Sequence, residues 1–221
     1  MQHYDEVWKN EKPAEHYKSE FPQQVLTLLK SNKTRRILDI GAGDGTNLLF
    51  LSKRGFEAFG LELSGEGVKK AQNAAQHEDS KITIVQRDMF KPLPYDDEFF
   101  DAVYSYQALN HGTLKQILEL FKEINRVLRV GGIFSVKTAD IDSFKIKKIS
   151  GKTYLDEETS QRYEEVDEQT YLPLDGEEKG LTHYMFSKGQ LEKQISQLGF
   201  KLLNSSKTKW HILANFKKTG G

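Results

Sequence analysis

The chain alternates short apolar runs with longer segments in which apolar residues recur at helical spacing. Residues 37–40 form the first apolar run, and apolar positions at helical spacing follow at 48–51. Short apolar runs predict strands, whereas a period near 3.6 residues predicts a helix. Repeated strand–helix units predict a mostly parallel sheet that carries helices on both faces.

The same alternation continues to the end of the chain, with one interruption. Further strands are predicted within residues 56–64, 82–89, 100–111 and 133–136, and helices at 25–29, 67–76 and 114–128. Gly131 and Gly132 are predicted to end the long helix. A helix from the capping residue Ser187 to Gly199 precedes two strand-like runs, at 200–204 and 210–216. Because their connection is short, these runs predict a C-terminal antiparallel hairpin.

Three glycines at alternate positions separate the first strand from the first helix of the repeat. Gly41, Gly43 and Gly45 allow the backbone to turn sharply and a ligand to approach it closely. The following helix offers unpaired N–H groups to polar atoms of a ligand. A dinucleotide-binding fingerprint has the spacing G-x-G-x-x-G. Here the third glycine comes one residue early, in D-x-G-x-G-x-G.

An acidic residue follows each of the next two strands. Glu62 lies about 20 residues after the glycines, where a carboxylate can accept hydrogen bonds from both ribose hydroxyls. Asp88 ends the third strand. Ligands of such folds bind at the carboxyl ends of the parallel strands, at the point where the strand order reverses. We therefore expect Gly41, Glu62, Asp88 and Tyr106 to line one crevice.

These motifs, in this order, resemble those of the class I (Rossmann-like) S-adenosylmethionine-dependent methyltransferases of small-molecule type, over residues 30–140. The resemblance implies a seven-stranded, doubly wound sheet, S-adenosylmethionine as cofactor and S-adenosylhomocysteine as product. In that family the acid matching Asp88 receives the adenine amino group. The implied cofactor-binding residues are Asp39, Gly41, Ala42, Gly43, Gly45, Glu62, Leu63, Asp88, Met89, Ser105, Tyr106, Gln107 and, in the N-terminal segment, Trp8.

The chain is interpreted as one methyltransferase domain, 1–221. An N-terminal lid and helix (1–33) precede a cofactor-binding core (34–139), a substrate cover (140–186), and a C-terminal helix and hairpin (187–221). Tyr4, Trp8 and Tyr17 are candidate lid residues, or they cover the apolar flank of the sheet. The cover shows little strand or helix periodicity, which is typical of a long irregular insertion. Ten acids and one base between Asp156 and Glu178 are also typical of a solvated surface loop.

Methyl transfer from a sulfonium requires mainly that the nucleophile, the methyl carbon and the sulfur be aligned. A general base is needed only when the acceptor carries a proton. His111 and His183 are the candidate bases, because imidazole titrates near neutral pH. Either could instead be a structural or exposed histidine. No metal site is predicted, because no close cluster of histidines and carboxylates is visible at ligand spacing.

Composition narrows the function further. Among 221 residues, Lys plus Arg and Asp plus Glu number 32 each, so no general attraction to nucleic acid is expected. Cysteine is absent, which excludes disulfides and thiol nucleophiles. No targeting segment or membrane span is visible, so we expect a cytoplasmic protein. We expect it to be a monomer or a homodimer. The alternatives are a nicotinamide-dependent oxidoreductase, a non-catalytic nucleoside-binding module, and a methyltransferase that modifies proteins.

Overall fold

The computed structural model describes residue 5, residues 21–176 and residues 178–220. The helices in these residues are α1 (Gln23–Ser31), α2 (Thr46–Ser52), α3 (Gly65–His77), α4 (Leu114–Val127) and α5 (Lys188–Ser196). The strands are β1 (Arg36–Ile40), β2 (Glu57–Glu62), β3 (Ile82–Gln86), β4 (Phe100–Tyr106), β5 (Leu128–Ala139), β6 (Ile146–Ser150), β7 (Thr153–Asp156), β8 (Arg162–Asp167), β9 (Thr170–Pro173), β10 (His183–Tyr184), β11 (Phe200–Lys207) and β12 (His211–Lys218).

The larger sheet has seven strands in the order β11-β12-β5-β4-β1-β2-β3. Strands β1 to β5 run parallel to one another, whereas β12 is antiparallel to both β5 and β11. The predicted doubly wound sheet and C-terminal hairpin are therefore confirmed. The strand order reverses between β1 and β4, so a crevice opens at the carboxyl ends of these two strands.

Helices cover both faces of this sheet, as predicted. On one face α4 buries Ile117, Phe121 and Ile124 against the sheet and against α5. On the other face α1 and α2 bury Val25 and Leu48 in a second apolar cluster. Capping boxes formed by Thr113 and Ser187 start α4 and α5. These two cores hold the carboxyl ends of β1, β2 and β4 at fixed positions.

The predicted end of the long helix is wrong. Helix α4 ends at Val127, and Leu128 already pairs with Phe100 of β4. Gly131 and Gly132 instead lie inside β5, where the register with β4 jumps to Ala102 opposite Ile133. Leu128 is fully buried, so pairing with β4 begins before the glycines are reached.

The cover is not the irregular segment that its lack of periodicity predicted. Residues 146–184 form a second sheet, antiparallel, in the order β10-β9-β8-β7-β6. Its strands are short, and many of their acids are exposed, as Glu164 is. Tyr163, Tyr171 and Met185 form a small separate core beneath it. The predicted role of this segment as a substrate cover stays a prediction.

None of the helices in the described part of the chain is long and apolar enough to cross a bilayer.

Candidate functional site

The glycine turn after β1 is tied to the end of β2. The backbone N–H groups of Gly41 and Ala42 both donate to the carbonyl of Leu61, at 2.9 Å each. Gly41 has φ +81°, and a Cβ placed there would lie 2.3 Å from the Cβ of Ala108. A side chain at position 41 would thus collide with the turn after β4. The structure brings the first glycine and this second turn into direct contact.

Glu62 occupies the position between the glycine turn and the start of α3. Its side chain is buried, and its two carboxylate oxygens accept from the backbone N–H groups of Gly43 and Ser64, at 2.8 Å each. Burial raises the pKa of the carboxyl, while these two hydrogen bonds oppose the rise. Glu62 therefore fixes the glycine turn, a role that its position in the sequence did not reveal.

The N-terminal segment reaches this site through a residue that the sequence reasoning missed. Asp5 accepts hydrogen bonds from the Ser64 hydroxyl at 2.6 Å and from the Glu66 backbone N–H at 3.4 Å. An acid at this position is favourable beside the N-terminus of α3. The lid candidates Tyr4, Trp8 and Tyr17, and with them the predicted cofactor contact of Trp8, lie outside the described residues.

Asp39, the first residue of the glycine motif, is a buried acid. Burial raises its pKa to about 8, and the nearby Glu62 and Asp44 add to the rise. The hydroxyl of Tyr104 donates to Asp39 Oδ2 at 2.7 Å and partly offsets this effect. Burial and Asp39 together also raise the pKa of Tyr104.

Asp39 should make the free protein less stable as the pH rises. The folded pKa of about 8 exceeds the ordinary value of 3.8, so the folded state retains a proton that the unfolded state releases between these values. The stabilising contribution of Asp39 is therefore fully present below about pH 4 and is lost as the pH rises toward 8. Thermal unfolding midpoints of Asp39→Asn should fall less between pH 5 and pH 8.5 than those of the wild type. Parallel curves for the two proteins would contradict the assignment.

Asp88 and Met89 follow β3 at the same edge of the sheet. Asp88 is half-buried, and its Oδ1 accepts from the Phe90 backbone N–H at 2.9 Å. Met89 packs partly against the main core. Leu63 follows the neighbouring strand β2, and its carbonyl accepts from the side-chain amide of Gln86 at 3.2 Å. Asp88 thus follows β3 as Gly41 follows β1, which is the placement expected for two sides of one crevice.

The turn after β4 carries the remaining predicted cofactor residues. The Ser105 hydroxyl donates to the Ile40 carbonyl at 2.7 Å and so joins β4 to β1. The Tyr106 hydroxyl lies 2.9 Å from Ser135 Oγ. Gln107 adopts φ +60° and donates its backbone N–H to Lys137 at 2.7 Å. Ser105 and Tyr106 therefore have structural hydrogen bonds, and contact with a cofactor stays a prediction for them and for Gln107.

A cavity of about 350 Å³ lies between this turn, the cover and the start of β12. Its polar walls include Gln107, Asn110, His111, Gln161, His183 and His211. Two of these side chains contact each other, since Nε2 of Gln107 lies 2.9 Å from Nε2 of His211. Burial lowers the pKa of His211, and the Lys137 charge lowers it further. The cavity therefore borders the turn after β4 and contains several hydrogen-bonding groups.

Both candidate bases lie in this cavity and contact each other. The rings of His111 and His183 are 4.7 Å apart between centroids, at an interplanar angle of 64°. His183 is 5% exposed, and its Nδ1 lies 2.8 Å from the Leu181 carbonyl. A carbonyl only accepts, so Nδ1 is the protonated nitrogen and donates this bond. Nε2 of the neutral ring is then the atom that can accept a proton.

Glu178 joins the two histidines into a histidine–carboxylate cluster that the ligand spacing in the sequence did not show. Its Oε2 lies 3.2 Å from His183 Nε2, and one ligand atom from each of His111, Glu178 and His183 lies within 4.8 Å of the others. His111 is far from the other two residues in the sequence. Local ligand spacing could therefore not reveal the cluster, which forms only when the cover meets the turn after β4.

Comparison with known proteins finds one family over most of the segment from β1 to β5, including the glycine motif. Residues 38–136 match the family described as Methyltransferase domain. The putative methyltransferase YqeM of Bacillus subtilis (strain 168) is 33% identical over 132 residues, 58% of this chain and 51% of that protein. The uncharacterized protein MJ1252 of Methanocaldococcus jannaschii is 38% identical over 110 residues, 49% of this chain and 39% of that protein. The chain thus spans about half, or less, of the length of these relatives.

Solved structures share the fold over nearly the whole chain. The PH0226 protein of Pyrococcus horikoshii OT3 has a TM-score of 0.69 at 20% identity, covering 97% of this chain and 99% of that one. The 1,6-didemethyltoxoflavin-N1-methyltransferase of Burkholderia thailandensis, with bound 1,6-didemethyltoxoflavin and S-adenosylhomocysteine, has a TM-score of 0.65 at 15% identity. That match covers 97% of this chain and 81% of the other. At these identities the likeness shows the fold alone.

The strand order, the glycine turn and the buried acid at the end of β2 define a Rossmann-like fold of the class I methyltransferase type. Residues 38–136 match the methyltransferase domain family, and the solved proteins that share this fold include S-adenosylmethionine-dependent methyltransferases. Gly41, Gly43 and Gly45 do not have the G-x-G-x-x-G spacing that is expected of a nicotinamide-dependent oxidoreductase.

Proposed function

We propose that this chain transfers the methyl group of S-adenosylmethionine to a small-molecule acceptor held in the cavity beneath the cover. The observation that carries the proposal is that cavity, where His111 and His183 meet beside the turn after β4. The same turn contacts the glycine motif through Ala108 and Gly41. The proposed acceptor and cofactor sites are therefore adjacent, as direct transfer requires.

The size and lining of the cavity support a small acceptor. A volume of about 350 Å³ falls within the range of ordinary small-molecule sites. Its walls combine polar groups with the apolar side chains of Phe144 and Met185, and this mixture can orient a compact, partly polar molecule. The solved relative from Burkholderia thailandensis holds a small molecule together with S-adenosylhomocysteine, which supports the same arrangement here.

The reaction is an in-line displacement. The acceptor's lone pair forms a bond to the methyl carbon, the bond from that carbon to sulfur breaks, and its electron pair stays on the sulfur of S-adenosylhomocysteine. Where the acceptor starts protonated, a base must remove that proton. Nε2 of His183 is suited to this task, because its Nδ1–H is held by Leu181, and His111 lies beside it.

The proposal is tested by incubating the protein with S-adenosylmethionine and a panel of small hydroxyl, amine and heteroaromatic acceptors. We expect a product heavier by one methylene unit, detected by mass spectrometry, together with S-adenosylhomocysteine. Intact S-adenosylhomocysteine binding with no product across the panel would favour the non-catalytic module. Methylation of proteins but not of small molecules would favour the protein-modifying alternative.

A matched pair of variants locates the acceptor. Phe144→Ala removes an apolar wall of the cavity and should raise KM for the acceptor by about tenfold while the affinity for S-adenosylhomocysteine is unchanged. Ile149→Ala removes an apolar side chain that is 49% exposed in the same cover and should change neither value. Equal effects of the two variants on KM would place the acceptor elsewhere.

The absence of nucleic-acid binding, the oligomeric state and the cytoplasmic location stay predictions from the sequence.

A further inference from the structure

One polar contact in the cavity joins two groups that normally accept hydrogen bonds. Nδ1 of His183 donates to the Leu181 carbonyl, so Nε2 of the neutral ring carries a lone pair. Oε2 of the Glu178 carboxylate lies 3.2 Å from that nitrogen. Nε2 is buried and makes no hydrogen bond with any residue that the structure describes. Two lone pairs at this distance repel each other unless a positive charge lies between them.

The surroundings select the kind of positive charge. His111 adds a second imidazole, so one ligand atom from each of the three residues lies within 4.8 Å of the others. A single proton would satisfy one pair of atoms, whereas a metal ion uses all three donors. Two histidines and one carboxylate form a common ligand set for zinc and related divalent ions, which keep a further position open.

The hydrogen bond of the other ring nitrogen of His183 and the negative charge of the cover support the same interpretation. A metal-bound histidine usually donates its other ring N–H to a carbonyl or carboxylate, as His183 does to Leu181. The stretch from Asp156 to Glu178 carries ten acids and one base, which favours cations at the cover. Glu178 is 56% exposed at its side chain, so it can move by the small distance that ligation at about 2.0–2.2 Å requires.

We propose that His111, Glu178 and His183 bind one divalent first-row transition-metal ion, such as zinc, at the wall of the cavity. The ion's open position faces the space in which we place the acceptor, so that a hydroxyl or other oxygen donor of the acceptor can bind it. This last step rests on the proposed function, whereas binding of the ion does not. With the ion bound, His111 and His183 are ligands, so the base role proposed above for His183 applies only to the metal-free chain.

The test uses the whole protein after treatment with a chelator and removal of that chelator. Calorimetric titration with zinc chloride should show one ion per chain, and titration with cobalt chloride should produce visible d–d absorption bands. Magnesium chloride should bind at least about 100-fold more weakly, because magnesium prefers oxygen ligands. Zinc that fails to saturate at one ion per chain would overturn the proposal.

Variants assign the site. Glu178→Gln changes a half-exposed side chain and should lower zinc affinity by about tenfold or more, as should His111→Ala. Glu164→Gln and His77→Ala change an exposed acid of the cover and an exposed histidine of α3, and both should bind zinc as the wild type does. Wild-type affinity in both Glu178→Gln and His111→Ala would overturn the proposal.

Titration with S-adenosylhomocysteine on the same samples separates the two proposals. A protein that binds S-adenosylhomocysteine but not zinc disproves the metal site and leaves the methyltransferase function intact. Zinc binding without S-adenosylhomocysteine binding supports the metal site and contradicts the proposed function.

Discussion

Replacing Gly43 by valine is expected to abolish binding of S-adenosylhomocysteine. Gly43 has φ +56°, a left-handed conformation that costs a β-branched residue most. Its backbone N–H donates to Glu62 at 2.8 Å, so a change of backbone conformation at position 43 also removes one contact of the buried carboxylate. Calorimetric titration should show no heat of binding, while far-ultraviolet circular dichroism shows a folded protein.

Gly55 supplies the control for backbone strain alone. It has φ +85°, and a Cβ at this position would meet nothing within 4 Å. Gly55→Val should therefore lower the unfolding temperature and leave the affinity for S-adenosylhomocysteine unchanged. If Gly43→Val does not fold, Gly43→Ala makes the same comparison with a smaller side chain. Wild-type affinity in a folded Gly43 variant would contradict the placement of the cofactor at the glycine turn.

Replacing Glu62 by glutamine should weaken S-adenosylhomocysteine binding by about 1 to 3 kcal/mol, which is roughly a five- to 150-fold rise in Kd. The carboxylate accepts from two backbone N–H groups, those of Gly43 and Ser64. A glutamine amide has one accepting oxygen, and its NH₂ group would face the second N–H. The expected loss of affinity therefore has two sources, the predicted hydrogen bonds to the ribose and the support of the glycine turn.

Glu57 is the matched control because it begins the strand that Glu62 ends. Glu57 pairs with Arg35 and Arg36 at the amino end of β2 and is partly exposed. Glu57→Gln should leave Kd for S-adenosylhomocysteine unchanged, as measured by the same titration. A similar rise in Kd for both variants would show that Glu62 acts through the stability of β2 and not through the site.

The sequence predicted most of the larger sheet because its strands are buried and its helices have apolar faces at regular spacing. Leu38, Leu48 and Ile124 are fully buried, and each lies in an element that the apolar pattern had located. The pattern failed where tertiary pairing decides the structure. Leu128 belongs to β5, ahead of Gly131, because it pairs with Phe100 of β4. The local sequence around Leu128 does not show this pairing.

The second sheet was missed for a different reason. Its strands have four to six residues, except for the two of β10. Exposed acids lie on β8 and in the connecting turns, so the sequence of this region resembles that of a solvated loop. Tyr163, Tyr171 and Met185 form its small apolar core, and they lie on three different segments. Such a small core becomes visible only when the strands are already paired.

The sequence predicted where the candidate site residues lie relative to the strands, but not the contacts that they make. Order along the chain was enough to place Gly41, Glu62 and Asp88 at strand ends. It could not show that Glu62 braces Gly43, because the two residues meet only through the pairing of β1 and β2. It also could not show that His111 meets His183, since that contact depends on the sheet of the cover.

The central claim is that the crevice at the carboxyl ends of β1, β2 and β4 binds S-adenosylmethionine. The most direct test is calorimetric titration of the wild-type protein with S-adenosylhomocysteine, and in parallel with NADH. We predict one molecule of S-adenosylhomocysteine bound per chain, with a Kd on the order of micromolar, and no heat from NADH. Binding of NADH without binding of S-adenosylhomocysteine would contradict the claim.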